Sequence, residues 1–201
     1  MILRRMTVGD LDVFCYILGC EATARGAVID PGGDAGQIAS TVDELGLRIE
    51  YHLNTHFHFD HTDGNEELAA ITGAKIAMHE ADIPLYGKPV DITLHDNDLL
   101  HVGELEIRVI HTPGHTPGGV TFAVEDMLFT GDALFVGDSG RTDMPYSHRP
   151  TLGASIRRLM QFPEETKVFP GHDYGPTPSS TLGWERRNNI NAEEYGFFQP
   201  E

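Results

Sequence analysis

The order of apolar and polar positions divides this chain into short strands and amphipathic helices. Val13 to Leu18 is a continuous apolar run, and Gly26-Ala27-Val28-Ile29 is another that stops at Asp30-Pro31-Gly32-Gly33. Apolar runs of this length closed by Gly and Pro predict strands, two or three of them in the first 30 residues. Residues 34–46 place Ile38, Val42 and Leu45 on one helical face. Ile49 to Asn54 predicts a buried strand, Asn65 to Ile71 a helix and Lys75 to Met78 a further strand. Glu104 to Ile110 alternates as a half-buried strand does, and Gly119 to Thr130 predicts a hairpin. Pro150 to Phe162 reads as a helix with Pro in its first turn. Lys167-Val168-Phe169 is a last short strand, and Leu182 to Asn189 a closing helix. Strands followed by helices occur twice with hairpins between, which predicts an α/β sandwich of two sheets carrying helices outside.

Composition narrows what such a fold works on. The 201 residues suit a single domain, 1–201, and no repeat or long Pro/Gly/Ser linker divides them. The net charge is −17, from 14 Lys+Arg against 31 Asp+Glu. That field repels phosphate backbones and argues against nucleic acid as a partner. The two cysteines, Cys15 and Cys20, sit in an apolar stretch and are expected to be buried, reduced thiols. The opening residues, Met1 to Phe14, carry charges and a Gly and do not make a signal peptide. No run approaches the roughly 18 apolar residues of a membrane span, so no membrane is implied and a cytoplasmic location is expected.

The chemistry is concentrated in His56-Phe57-His58-Phe59-Asp60-His61, directly after a predicted strand. In an extended segment residues 56, 58 and 60 point to one side, and a turn brings His61 in from another angle. Three imidazoles and a carboxylate this close are costly to bury unless a cation holds them. His115, Asp132 and His172 each follow an apolar strand at a Gly or Pro, where strand ends deliver side chains to a shared rim. The whole set is too large for one tetrahedral site and suits two adjacent metals with one carboxylate between them.

These residues resemble the metallo-β-lactamase superfamily, whose T-H-x-H-x-D-H motif stands here as Thr55 to His61. The likeness runs from Asp30-Pro31-Gly32 to Pro170-Gly171-His172. It implies an αββα sandwich of two mixed sheets, with metals at one sheet edge. It implies His56, His58 and His115 on one metal, Asp60, His61 and His172 on the second, and Asp132 bridging both. Asp30 would stand behind the ligands or serve only as a turn residue. The cofactor so implied is two divalent metal ions; zinc is expected, and iron or manganese suits the same imidazole and carboxylate ligands.

Within the superfamily, Gly131 to Phe135, Gly140-Arg141-Thr142-Asp143, Ser155 to Leu159 and Thr181 to Asn188 resemble the glyoxalase II group and its short bacterial relatives. That likeness implies a hydrolase cleaving a small thioester or glutathione conjugate such as S-D-lactoylglutathione, by attack of a metal-bound hydroxide. Asp132 would set the metal spacing, and Asp60 would bind one metal and steady the nucleophile. Full-length glyoxalase II adds a helical C-terminal domain that grips glutathione, and no separate domain of that kind is expected here. Arg141 matches a basic position near the substrate, with a structural ion pair as the alternative. Tyr174, in His-x-Tyr, would contact substrate or pack on the metal loop.

Other readings stay open. Persulfide dioxygenases resemble the chain at the same ligands, with a single iron on His56, His115 and Asp132; another hydrolase of the superfamily and a non-catalytic metal-binding module are further options. His52, His79, His95, His101, His111 and His148 are expected to be ordinary surface or strand residues, with His111 close enough to support a ligand. The apolar C-terminal segment Gly196-Phe197-Phe198 leaves a homodimer open.

Overall fold

The computed structural model describes residues 1–200. The first six strands lie side by side in chain order: β1 (Ile2–Val8), β2 (Val13–Cys20), β3 (Arg25–Ile29), β4 (Arg48–Leu53), β5 (Lys75–His79) and β6 (Ile92–Leu94). Pairing is antiparallel from β1 to β3 and parallel from β3 to β6. The second sheet holds β7 (Leu99–Val102), β8 (Leu105–His111), β9 (Val120–Val124), β10 (Met127–Gly131), β11 (Lys167–Pro170) and β12 (Ser180–Thr181), in the order β12-β11-β10-β9-β8-β7. Its pairs are antiparallel except β10 with β11. The helices are α1 (Ala35–Glu44), α2 (Phe59–Thr62), α3 (Asn65–Thr72), α4 (Ile83–Tyr86), α5 (Arg149–Leu159), α6 (Leu182–Asn188) and α7 (Ala192–Tyr195).

Strand β2 shows why the layers form. All eight of its residues are buried, because both faces are covered. Phe14, Tyr16 and Leu18 point between the sheets, where they meet Ile107, Val109, Phe122 and Phe129. Val13, Cys15 and Ile17 point the other way, onto Ile38 and Val42 of α1 and Leu68 of α3. On the far side Leu152, Ile156 and Leu159 of α5 pack with Ile110, Leu128 and Val168 of the second sheet and with Tyr195 of α7. Three apolar layers therefore separate helix, sheet, sheet and helix, and the αββα sandwich implied by the sequence is the fold. A strand buried on both faces reads as a continuous apolar run rather than an alternation, which is how β2 reads.

The two sheets are tied at one edge. The Phe14 amide donates to the Gly171 carbonyl at 2.8 Å, and the Val120 amide to the Thr55 carbonyl at 2.8 Å. The Tyr16 hydroxyl donates to the Pro170 carbonyl at 2.6 Å. This is the edge at which β4, β8, β10 and β11 end.

Most predicted elements stand within a residue or two of their expected bounds. One difference matters for the site. The segment after β4 is not extended as far as Asp60: His56 and His58 lie in a loop, while Asp60 and His61 lie in the single turn of α2. The turn begins at Phe59, whose carbonyl accepts from the Asp63 amide at 2.8 Å. Strands β6, β7 and β12 and helices α4 and α7 had no distinct sequence signal; all are two to four residues long. Cys15 and Cys20 are buried free thiols, as expected.

Candidate metal centre

Each expected ligand follows the C-terminal end of a strand. His56, His58, Asp60 and His61 follow β4, His115 follows β8, Asp132 follows β10 and His172 follows β11. Strands pairing in this order leave their chain ends at a common rim, where side chains from different loops converge. The structure brings all seven together. Their ligand atoms fall into three overlapping sets, each within 4.8 Å: His56, His58 and His115; His56, His61 and Asp132; and Asp60, His61 and His172. His58 Nδ1 lies 3.0 Å from His115 Nε2. Asp132 stands between the sets. Its Oδ1 is 3.3 Å from His61 Nε2, and its Oδ2 is 3.6 Å from His115 Nε2 and 3.7 Å from His172 Nε2. Asp60 Oδ2 is 3.5 Å from His172 Nε2 and 3.7 Å from His61 Nε2.

A second layer of hydrogen bonds fixes which nitrogen each ring presents. His61 Nδ1 lies 2.9 Å from Asp30 Oδ2, so it carries a proton and Nε2 is the nitrogen turned toward the cluster. The Thr55 hydroxyl donates to the same Asp30 oxygen at 2.7 Å, and the Thr55 amide donates to Asp30 Oδ1 at 2.7 Å. With its hydrogen committed, Thr55 Oγ1 accepts from His56 Nδ1 at 3.0 Å. His115 Nδ1 donates to the Arg141 carbonyl at 2.9 Å. Asp30 is thus more than a turn residue: one buried carboxylate orders two of the expected ligands, His61 directly and His56 through Thr55. Polar second-layer partners of this kind hold the tautomer and aim of metal-binding imidazoles.

The electrostatics are those of a cation site. Burial lowers the His56 imidazole well below its ordinary range, and the neighbouring histidines lower it further. Burial and then His115 take His58 down to about 4. For Asp132 burial pushes the carboxyl up but is outweighed by the nearby His61, then by His115 and His172, which hold it well below the usual carboxylate range. Burial likewise opposes the rise of His61, which Asp132 and Asp30 drive. His56 Nε2, His61 Nε2 and Asp132 Oδ1 are buried with no hydrogen-bond partner among the described residues. Buried polar atoms left bare cost about 1–3 kcal/mol each. A pair of divalent cations, one beside His56 and one beside His61, would relieve all three, so the residues present fit the metals that the donor set implies.

Glycine lets the loops close this tightly. A Cβ on Gly171 would press into Asp132 Oδ1 and His61 Cε1, and one on Gly32 would overlap the Asp60 carbonyl.

Of the two expected substrate residues, Tyr174 stacks on His172, with ring centroids 5.0 Å apart and planes 7° apart, and keeps most of its surface open. It lines a groove with Leu11, Asp12, Phe14 and His172. The Arg141 side chain points into solvent and makes two bonds to Asp143, at 2.7 and 2.9 Å, while its backbone carbonyl steadies His115. Its loop is anchored from α6 and the turn after it: the Gly137 amide donates to buried Glu185, and Asn189 and Asn191 donate to Asp138.

His52 and His79 are buried strand residues, and His111 stacks on His79 with centroids 4.0 Å apart while Nε2 bonds the Pro117 carbonyl in the His115 loop. Asp82 had no sequence signal. It precedes Ile83-Pro84 as any residue opening a short helix can, yet its carboxylate reaches the Phe57 amide, the Thr116 hydroxyl and the Gly118 amide.

Comparison with known proteins follows this geometry. A family profile described as the metallo-beta-lactamase superfamily matches residues 8–172. A hydroxyacylglutathione hydrolase of Rhodospirillum rubrum is 40% identical over 166 residues, which cover 81% of this chain and 63% of that protein. The human mitochondrial persulfide dioxygenase is 34% identical over 204 residues, covering 97% of this chain and 79% of that protein. A crystal structure described as a di-iron-bound form superposes with a TM-score of 0.82 at 31% identity, over 93% of this chain and 98% of that one.

Proposed function

Since the chain belongs to the metallo-beta-lactamase superfamily, we propose that it is a metal-dependent hydrolase of small thioesters, with a glutathione conjugate such as S-D-lactoylglutathione as substrate. The observation that carries this reading is Asp132, whose two oxygens face His61 on one side and His115 and His172 on the other. A carboxylate so placed, held ionised by its histidines, is suited to span two cations. His56, His58 and His115 would hold one ion, and Asp60, His61 and His172 the other. When bound, the metal pair would supply a water whose pKa is lowered to near 7 and a Lewis acid for the carbonyl oxygen.

The chain's own residues supply the rest. Asp30, Thr55 and the Arg141 carbonyl keep the imidazole protons on the nitrogens that face away from the centre. Tyr174, flat against His172, forms one wall of the groove in which the thiol portion would lie. Arg141 would meet a substrate carboxylate by exchanging it for Asp143, for which its planar fork is suited. A thiolate of pKa near 8.5 leaves with little need of a proton donor, in keeping with a centre whose other acidic groups are engaged.

The persulfide dioxygenase reading is favoured by one observation: that relative aligns over nearly the whole chain, to which the hydrolase aligns over 81%. Metal analysis of anaerobically purified protein, with hydrolysis of S-D-lactoylglutathione and oxygen uptake on glutathione persulfide as paired assays, separates them. Two ions per chain with hydrolysis is the expected result. One iron per chain with oxygen uptake and no hydrolysis refutes the proposal in favour of the dioxygenase.

A further inference from the structure

Asp82 belongs to neither ligand cluster, yet the hydrogen bonds to its carboxylate come from loops carrying one of them. It is fully buried. Its Oδ2 accepts from the Phe57 amide at 3.1 Å and from the Thr116 hydroxyl at 2.8 Å, and its Oδ1 accepts from the Gly118 amide at 2.6 Å. Phe57 is the residue between His56 and His58, and Thr116 follows His115. Asp82 is in turn fixed to the first sheet. Its amide donates to the His79 carbonyl at 3.0 Å, and its carbonyl accepts from the Leu85 and Tyr86 amides at 3.0 and 2.9 Å. Gly118 is drawn so close that a Cβ there would lie 2.6 Å from the Asp82 nitrogen and 2.7 Å from Oδ1.

The other half of the centre is anchored differently. His61 is held by Asp30. The loop of His172 is held by Gly171, whose amide donates to the Gly131 carbonyl at 2.9 Å and whose carbonyl accepts from the Phe14 amide at 2.8 Å. None of these bonds involves Asp82.

We infer that Asp82 is a positioning residue for the His56, His58 and His115 half of the centre alone, setting the distance between its two loops and thereby the affinity of that metal position. The inference rests on the two-metal reading above. A carboxylate is required there because three donors converge on two oxygens. An amide in its place must turn its NH2 toward at least one N–H or O–H, and the loop making that bond swings away. His115 then loses its alignment with His56 and His58, while Asp60, His61 and His172 keep theirs.

The test uses Asp82→Asn and Thr116→Val. Metal-free proteins are titrated with zinc against a chromophoric chelator, and bound metal per chain is measured. Asp82→Asn is expected to weaken one binding step by about 10- to 100-fold and leave the other unchanged. Thr116→Val is expected to weaken the same step by less. In a His172→Ala background, Asp82→Asn should still weaken the remaining ion; in a His115→Ala background it should add nothing. General loosening of the fold would weaken the remaining ion in both backgrounds. If Asp82→Asn fails to fold, Thr116→Val decides, since its effect must fall on one step only. Equal weakening of both steps, or of neither, overturns the role of Asp82. A wild-type protein that binds fewer than two ions overturns the two-metal reading instead.

Discussion

Replacing Asp30 with Asn isolates the hydrogen bonds behind the ligands from the ligands themselves. Asp30 takes a left-handed φ of 50°, a conformation Asn tolerates, so backbone strain does not confuse the result. The carboxylate accepts three bonds: the Thr55 amide on Oδ1, and the Thr55 hydroxyl and His61 Nδ1 on Oδ2. Asn offers one oxygen. If the oxygen keeps the Thr55 amide, the NH2 faces the other two donors, and His61 must move its proton to Nε2, where it blocks a metal. If the amide turns over, the NH2 opposes the Thr55 N–H at the start of the ligand loop. Either way at least one buried bond to a charged acceptor is lost, which costs about 1.5–3 kcal/mol. At 1.4 kcal/mol per tenfold, that is about 10- to 100-fold weaker binding of the ion held by His61. Competition between the metal-loaded protein and a chelator reads this directly, with far-UV circular dichroism of the metal-free variant as the check on folding. A folded Asp30→Asn protein that holds both ions as tightly as wild type would refute the argument that second-layer bonds set the tautomer here.

Further predictions test the centre and its surroundings. Asp132→Ala should abolish turnover and release at least one ion per chain, measurable by elemental analysis; near-normal rate with full metal content would refute the bridging role. Gly171→Ala should lose metal because its Cβ enters the space of Asp132 and His61, whereas Gly36→Ala, with nothing within 4 Å, should leave metal content unchanged. His52 gives a pH prediction. Its Nε2 bonds Thr72, its Nδ1 is buried without a partner among the described residues, and burial lowers its pKa from 6.5 to about 4. The unfolded chain therefore binds a proton there between pH 6.5 and 4 that the folded chain does not, and this contribution to stability falls as pH falls, by up to about 3 kcal/mol. In urea titrations of metal-free protein at pH 6.5 and 4.5, His52→Gln should lose less stability than wild type over that interval; an equal loss would refute the assignment.

The apolar pattern was enough to place β2, β4 and β11, read as short apolar runs, and α1 and α5, whose buried residues recur at helical spacing. The short elements left none: α2 and α4 are single turns whose position is set by what packs around them. The composition of the ligand cluster was equally plain, since no bland role explains three histidines and an aspartate within His56–His61; strand ends marked by Gly or Pro added His115, Asp132 and His172, and the resemblance assigned their roles. The extended reading of residues 56–60 failed at Phe59, where the chain turns into α2 and Asp60 reaches the cluster from a helix rather than a strand.

What the sequence determined by itself, then, was the kind of chemistry and the layer order, because both depend on residue type and on spacing along the chain. Only the tertiary structure decided the tautomers and the part played by Asp30, Thr55 and Asp82. Apart from the bond between the neighbours Thr55 and His56, these rest on contacts between residues 25 to 36 positions apart, made across strand ends that meet only after two sheets have packed. Hydrogen bonding is short-ranged and directional, so a carboxylate's role is fixed by which donors the fold brings within about 3 Å of it, and linear order carries no record of that.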